Sequence, residues 1–357
     1  MDIGIPKETK PLESRVSLLP AAVSELIKQG HTVFVESGSG VGSGFQDSHY
    51  AAAGAHIAED AESLYGSAEL IVKVKEPIAS DLAWLRPNHI LFSYLHLAAL
   101  PELTKQLQDI GLTAIGFETL EVHNRLPLLA PMSDIAGRLS AQIGAQLLHK
   151  PEGGKGLLLG GLPGTERGQV VIIGGGVAGS NAALMSAALG AQVTVFERNR
   201  DKLAELRKLG ANVTTLFSYS EAIAEAVSSA DLLIGAILVA GQRAKQVVSE
   251  EMVKSMQAGS VIIDIAVDQG GCIETTRPTD YRHPTFTCHD VLHFGVTNMP
   301  GAVPKSASQA LSAAIYPWVA KLAEKAWRED MQLVGAINVA AGEICHEGLK
   351  NHNDSRE

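Results

Sequence analysis

The sequence predicts an α/β protein of two doubly wound domains, one inserted into the other. Three observations predict it: a strand, glycine turn and helix at residues 170–183 (VVIIGGGVAGSNAA), an earlier alternation of β-prone and helical runs, and a C-terminal stretch of helical spacing. A chain of 357 residues with 46% hydrophobic content is globular and too long for one ordinary core. Helices at a C-terminus often pack back on the first domain. The expected division is therefore residues 1–127 with 307–357 as one discontinuous domain, and 128–306 as the insert.

Along the chain, residues 3–5, 32–36, 70–74, 90–94 and 113–117 are β-prone, while 21–29 and 102–109 carry apolar residues at helical spacing. The segment 153–168 holds seven glycines and Pro163, which reads as turns or a hairpin. After it the alternation restarts, with strands at or near Val170, Gln192, Asn212, Leu232, Val261 and Thr285. From Ser306 to Gly348 the pattern is helical without strand-like alternation, with Pro304 and Pro317 as breakers.

Within the insert, Gly174-Gly175-Gly176-Val177-Ala178-Gly179 follows four β-prone residues and opens an Ala/Leu-rich helix. Gly174 permits the turn, Gly176 lets backbone approach a pyrophosphate, and Gly179 lets helix and strand pack closely. An anion then sits on the free N–H groups of the helix start. Glu197, 23 residues after Gly174 and at the tip of strand 192–196, places a carboxylate where ribose hydroxyls donate. The pattern reads as a Rossmann-like dinucleotide site, and the outer domain repeats the same α/β logic.

Composition excludes several partners. A net charge of −10, a pI near 5.7 and no basic cluster argue against nucleic acid. The start MDIGIPKETK lacks a signal-peptide pattern and no apolar run reaches spanning length, so no membrane partner and a cytoplasmic location are expected. Cys272, Cys288 and Cys345 are an odd set without C-x-x-C, which reads as reduced thiols and implies no metal.

Titratable residues recur after apolar strands, where doubly wound folds present ligand groups. Arg15 precedes the first helix and on sequence alone reads best as a surface arginine. Lys75 and Glu76 end the run 70–74, and His96 follows 90–95, where a satisfied core or surface histidine is the commoner case. Asp268 lies after 261–267 and before Gln269-Gly270-Gly271, a sharp turn that favours a site.

End to end, the chain resembles the NAD-dependent alanine dehydrogenase family, which interconverts L-alanine with pyruvate and ammonia. The resemblance runs through IGIPKE at Ile3, IVKVKEP at Ile71, YLHLA at Tyr94, MSDIAGR at Met132, LLLGGLPG at Leu157, GGGVAG at Gly174, IDIAVDQGGC at Ile263, HPTF at His283 and TNMPGAVPKS at Thr297. It implies that Arg15 holds the substrate carboxylate, Lys75 polarises the keto oxygen, and His96 and Asp268 are the catalytic pair. It also implies that NAD is lined by Ser133, Gly174, Gly176, Val177, Ala178, Gly179, Glu197, Lys202, Ser218, Leu238, Val239, Ala266, Val267, Gln269, Asn298 and Met299, and that the assembly is a homohexamer. The family often has Asp where this chain has Glu197 followed by Arg198. The longer carboxylate still repels a 2′-phosphate, while Arg198 partly offsets that. The rivals are the nucleotide-binding subunit of a proton-translocating transhydrogenase, which needs no amino-acid site, and a binding module without catalysis.

Overall fold

The computed structural model describes residues 1–237 and 245–354. The chain divides into two compact units, Met1–Met132 with Gly301–Glu357, and Ser133–Pro300. The joins fall in the first turn of helix Ala130–Leu147 and inside the short 3₁₀ turn Met299–Ala302, against 127/128 and 306/307 from sequence. Neither join coincides with a change of composition, which is why periodicity places them several residues away.

In chain order the strands are β1 (Asp2–Ile5), β2 (Thr32–Glu36), β3 (His56–Ala58), β4 (Leu70–Val72), β5 (Ile90–Ser93), β6 (Thr113–Gly116), β7 (Gln169–Ile173), β8 (Gln192–Glu197), β9 (Val213–Phe217), β10 (Leu232–Gly235), β11 (Val261–Asp264), β12 (Thr285–Cys288), β13 (Val291–Phe294), β14 (Ile337–Ala340) and β15 (Glu343–Ile344). The first unit holds the sheet β15-β14-β6-β5-β4-β1-β2-β3, and the second holds β12-β13-β11-β10-β7-β8-β9. The parallel parts share one winding. From its first strand each sheet grows outward one way (β1-β2-β3, β7-β8-β9) and then the other (β4-β5-β6, β10-β11-β13). The direction in which strands are added reverses between the parallel neighbours β1 and β4, and between β7 and β10, and the crevice there takes ligands in such folds. The central strands are buried on both faces, so they read as continuous Val/Ile/Leu runs such as VVII in β7 and LLI in β10.

Helices of the first unit tie its two chain segments together. Helix Pro304–Ala323 receives the Val16 N–H on Ser308 Oγ at 2.9 Å and the Leu19 N–H on Ser312 Oγ at 3.0 Å. Pro304 starts that helix, where a missing N–H costs nothing. Pro317 does not break it. Buried Leu311, Ile315, Val319 and Leu322 hold both halves on one face, and one lost ladder bond does not outweigh that burial.

The expectation of an all-helical stretch from Ser306 to Gly348 is corrected. β14 pairs antiparallel with β6, Ile337 opposite Ile115 and Val339 opposite Ala114, and β15 pairs with β14. Leu333, Val334 and Ile337 fall at helical spacing, and a four-residue strand is too short to override that pattern. β3 and β13 also add to the expected set; each has three or four residues, and β13 pairs with β12 as an antiparallel edge. β4 stops at Val72, short of the expected 74, because a side chain takes over its backbone donors: Glu8 Oε1 accepts the Val74 N–H at 2.7 Å and the Lys75 N–H at 3.3 Å. The segment 153–168 is turns, as its glycines imply, with no strand assigned.

Candidate active site

In the first unit, three of the expected residues leave the carboxyl edge of the sheet or the loop after β1. Arg15 is no surface arginine, since it is 3% exposed. Glu13, itself buried, grips it: Oε1 accepts Arg15 Nε at 2.7 Å and Oε2 accepts Nη2 at 2.5 Å, while Nη1 faces Met132 Sδ at 3.1 Å. Burial alone would weaken the guanidinium's hold on its proton, and Glu13 more than reverses that. Lys75 leaves β4 half-buried, its Nζ 3.7 Å from Glu76 Oε2. Burial works against the Glu76 carboxylate, but Lys75 and Lys10, with His96 beyond them, hold its pKa below the ordinary value.

His96 follows β5 in a left-handed backbone conformation, φ 52° and ψ 33°, which is uncommon for a residue with a Cβ. Its ring stacks on Tyr94, centroids 6.0 Å apart and planes 12° apart. Glu118 fixes the bend by accepting the Leu95 N–H at 3.0 Å and the His96 N–H at 2.6 Å on Oε1. Tyr94 donates its hydroxyl to the Leu128 carbonyl at 2.5 Å, and burial pushes the phenol well above its ordinary pKa. Beneath Lys75 lies a buried ion cluster. Lys73, 1% exposed, reaches Asp81 at 3.1 Å and Glu8 at 3.5 Å, and Tyr65 donates to Asp81 at 3.1 Å.

The second unit presents backbone in place of charge. Gly174 has φ +105°, and a Cβ at Gly179 would lie 1.8 Å from the Gly174 carbonyl, so both positions admit only glycine. Gly176 faces open space, and helix Val177–Ala188 starts there without a side-chain cap. Its first N–H groups are left without a side-chain acceptor, an arrangement suited to an anion. Gly137 lets helix Ala130–Leu147 approach closely, since a Cβ there would meet the Ala178 carbonyl at 2.1 Å. Glu197 ends β8. Its Oε2 accepts the Gly175 N–H at 3.0 Å, and Oε1 accepts the Arg198 and Asn199 N–H groups at 2.7 and 3.0 Å. Burial opposes its charge, yet these three donors and Lys202 keep its pKa below the ordinary value.

Asp268 lies in the 3₁₀ turn Val267–Gln269 after β11 and is exposed, with Ala266 and Val267 buried beside it. Tyr281 donates to the Met299 carbonyl at 2.9 Å, fixing the segment that carries Asn298. Ser133 lies in helix Ala130–Leu147, Lys202 in helix Arg200–Arg207, and Ser218 just past β9. Leu238 and Val239 lie outside the described residues. Sequence reasoning missed Glu8, Glu13, Lys73, Asp81, Glu118, Asp264 and Gly137. Two of them carried a signal: Lys73 and Asp264 are charges inside otherwise apolar strand runs, a position that demands a partner.

Comparison with known proteins bears on the whole chain. The model described as alanine dehydrogenase/PNT, N-terminal domain, matches residues 4–136, and that for the C-terminal domain matches 140–347. The chain is 48% identical over 355 residues to an alanine dehydrogenase of Bacillus subtilis strain 168, covering 98% of this chain and 94% of that protein. It is 47% identical over 361 residues to an alanine dehydrogenase of Methanococcus maripaludis, covering 99% and 97%. A solved L-alanine dehydrogenase superimposes with a TM-score of 0.95 at 48% identity over 100% of both chains. A transhydrogenase structure from Sinorhizobium meliloti gives 0.84 at 25% identity, covering 97% and 99%. With both domain models matched in order and relatives near half identity end to end, this chain belongs to the alanine dehydrogenase/PNT family.

Proposed function

We propose that the chain catalyses the NAD-dependent, reversible oxidative deamination of L-alanine to pyruvate and ammonia, with one water consumed. The observation that carries this reading is the set Arg15, Lys75 and His96 along one sheet edge, in a chain 48% identical end to end to an alanine dehydrogenase. The first unit acts as the substrate domain and the second as the NAD-binding domain. The transhydrogenase reading has less support, because identity to that structure falls to 25%.

The second unit's residues fit NAD: an uncapped helix start, a glycine facing open space, and a carboxylate at the end of the next strand. Gly174, Gly176, Val177, Ala178 and Gly179 cradle the pyrophosphate, and Glu197 takes the ribose hydroxyls. Ser133, Lys202, Ser218, Ala266, Val267, Gln269, Asn298 and Met299 would line the rest, the role the family resemblance also gives to Leu238 and Val239. NAD held there would supply the hydride acceptor for the substrate Cα.

In the first unit, Glu13 orients the Arg15 guanidinium before substrate arrives, and Nη1 exchanges a weak thioether acceptor for the substrate carboxylate. Lys75 places positive charge where oxygen becomes electron-rich. His96 Nδ1 or Nε2 takes a proton from the water that attacks the imine and returns one to departing ammonia, with Asp268 as the second proton-transfer group. No helix among the described residues is long and apolar enough to cross a membrane. A cytoplasmic homohexamer is the assembly the family resemblance supports, and light scattering tests it.

The deciding assay is absorbance at 340 nm. Purified protein with L-alanine and NAD should produce NADH, and pyruvate with ammonium should consume it. No change in either direction, with hydride exchange between two nucleotides instead, would establish the transhydrogenase reading.

A further inference from the structure

Strand β11 ends on a carboxylate that the reaction above does not use. Asp264 is 1% exposed. Its Oδ1 accepts the Ala266 N–H at 3.0 Å and faces the Cys272 thiol at 3.6 Å, and its Oδ2 accepts the N–H groups of Cys272 at 2.9 Å and Ile273 at 3.2 Å. The loop between is closed on itself: Gln269 and Gly271 both donate to the Ala266 carbonyl, at 2.9 and 3.0 Å. Both ends of the 266–272 loop therefore hang from one side chain, with Asp268 inside it. Glycines make room for that side chain, since a Cβ at Gly235 would come within 3.0 Å of Oδ1 and one at Gly271 within 2.8 Å of Oδ2.

We propose that Asp264 is a positioning residue whose ionised carboxylate ties both ends of the 266–272 loop and thereby sets where the Asp268 carboxylate stands. This rests on the reading of Asp268 as a proton-transfer group. A core-filling role does not account for the arrangement, because an apolar residue in VIIDIAV would fill the same volume without the cost of burying a charge. Among the described residues, Asp264 accepts from the Ala266, Cys272 and Ile273 N–H groups and faces the Cys272 thiol, with Gly235 of β10 close beside it. Among the described residues the thiol is the titratable group that touches it, and burial first, then the Asp264 charge, pushes that thiol far above its ordinary value. Burial also raises Asp264, to about 6, against the pull of its donors. Once protonated, the carboxyl brings a hydrogen into a ring of donors, and one of its bonds must open.

Asp264→Asn keeps the shape but turns an amide donor toward those donors. In the full-length protein, kcat for alanine oxidation should fall by about 10–100-fold, the scale of a catalytic group displaced by an ångström. The KM for L-alanine should move less than about threefold, a split that a general loss of structure does not produce. Hydrogen exchange of the 266–273 amides, corrected for intrinsic rate, supplies a readout without turnover. In the unmodified protein their protection should drop between pH 7 and pH 5, and in Asp264→Asn it should be low at both. Flat protection in the unmodified protein, or full turnover in the variant, overturns the proposal. The exchange measurement on unmodified protein stands even where the variant fails to fold. Asp268→Asn, run in parallel, separates the two ideas: normal turnover there defeats the Asp268 reading and leaves the exchange result untouched.

Discussion

The two sheets share a winding order, and each fills its own crevice at the reversal of winding in an opposite way. Between β1 and β4 the first unit packs charge against charge: Arg15 on Glu13, Lys73 on Glu8 and Asp81, and Lys75 and Lys10 on Glu76. Between β7 and β10 the second unit offers bare backbone at Gly174, Gly176 and Gly179, steadied by the Glu197 carboxylate. Burying ions costs several kcal/mol each unless partners restore the lost hydration, so a side-chain site needs a second layer of counterions behind it. A backbone site needs only the absence of side chains. A small zwitterion that must be oriented and deprotonated calls for the first kind, and a flexible dinucleotide with a pyrophosphate is served by the second.

The sharpest break between the units is expected at His96. His96→Ala should slow turnover by about 10²–10⁴-fold, the range for a lost general acid/base, while NADH affinity measured by fluorescence stays within twofold. A parallel loss of NADH affinity would mean that the first unit also holds the nucleotide. Arg15→Ala comes next. It strands a substrate carboxylate and leaves Glu13 buried without its cation, so alanine binding should weaken by about 2–5 kcal/mol, read as a rise in KM. Arg15→Lys should recover little, since an ammonium cannot serve Glu13 through two parallel bonds and reach a substrate as well.

The contrast also decides what could be read from the sequence. The glycine turn was legible because its logic is local: strand, Gly174, Gly176, Gly179 and an acid at Glu197 lie within one βαβ unit. Long strands of the parallel cores, such as β2 and β8, carry enough residues for their pattern to register. β3, β14 and β15 have two to four residues each, and their pairing partners, not their own pattern, make them strands. Arg15, Lys75 and His96 were visible as charged residues near strand ends, yet only family resemblance raised them above surface groups. Their supports were hidden because each works across sequence distance: Glu118 reaches His96 from 22 residues away, and Glu8 reaches Val74 from 66. A carboxylate that accepts distant backbone N–H groups leaves no periodic trace.

At the second unit, Glu197→Arg tests whether side-chain charge matters at all on a backbone-built edge. Removing the carboxylate takes Oε2 from the Gly175 N–H and Oε1 from the Arg198 and Asn199 N–H groups that share it, and the new charge sits beside Arg198. NAD use should fall and NADP use rise, each by about tenfold, the worth of one charge-assisted bond at a half-exposed site. Initial rates with both cofactors decide it. Equal efficiency with NAD and NADP in the unmodified protein would remove Glu197 from the role given to it.

The smallest expected effects come from two of the thiols, Cys345 of the first unit and Cys272 of the second. Cys345 is exposed beside β15, and Cys345→Ser should leave stability within about 0.5 kcal/mol and turnover unchanged. Cys272 is fully buried against Asp264, so Cys272→Ala should cost about 1–2 kcal/mol in lost packing while the reaction survives. Its finer signature is in the pH dependence. Folding raises the Asp264 carboxyl from about 3.9 to about 6, so its contribution to stability is fully present below about pH 4 and is lost as pH rises through about 6. The share of Tm that Asp264 contributes therefore falls across that window, while carboxylates held below their ordinary values, such as Glu76 and Glu197, act the other way, so the difference between the two proteins isolates it. Removing the thiol takes away one donor to the ionised form, which moves the folded pKa further up and carries the fall in Tm to higher pH. Melting curves from pH 4.5 to 7.5 for both proteins measure the displacement, and coincident curves would show that the thiol hydrogen contributes nothing to holding the Asp264 charge.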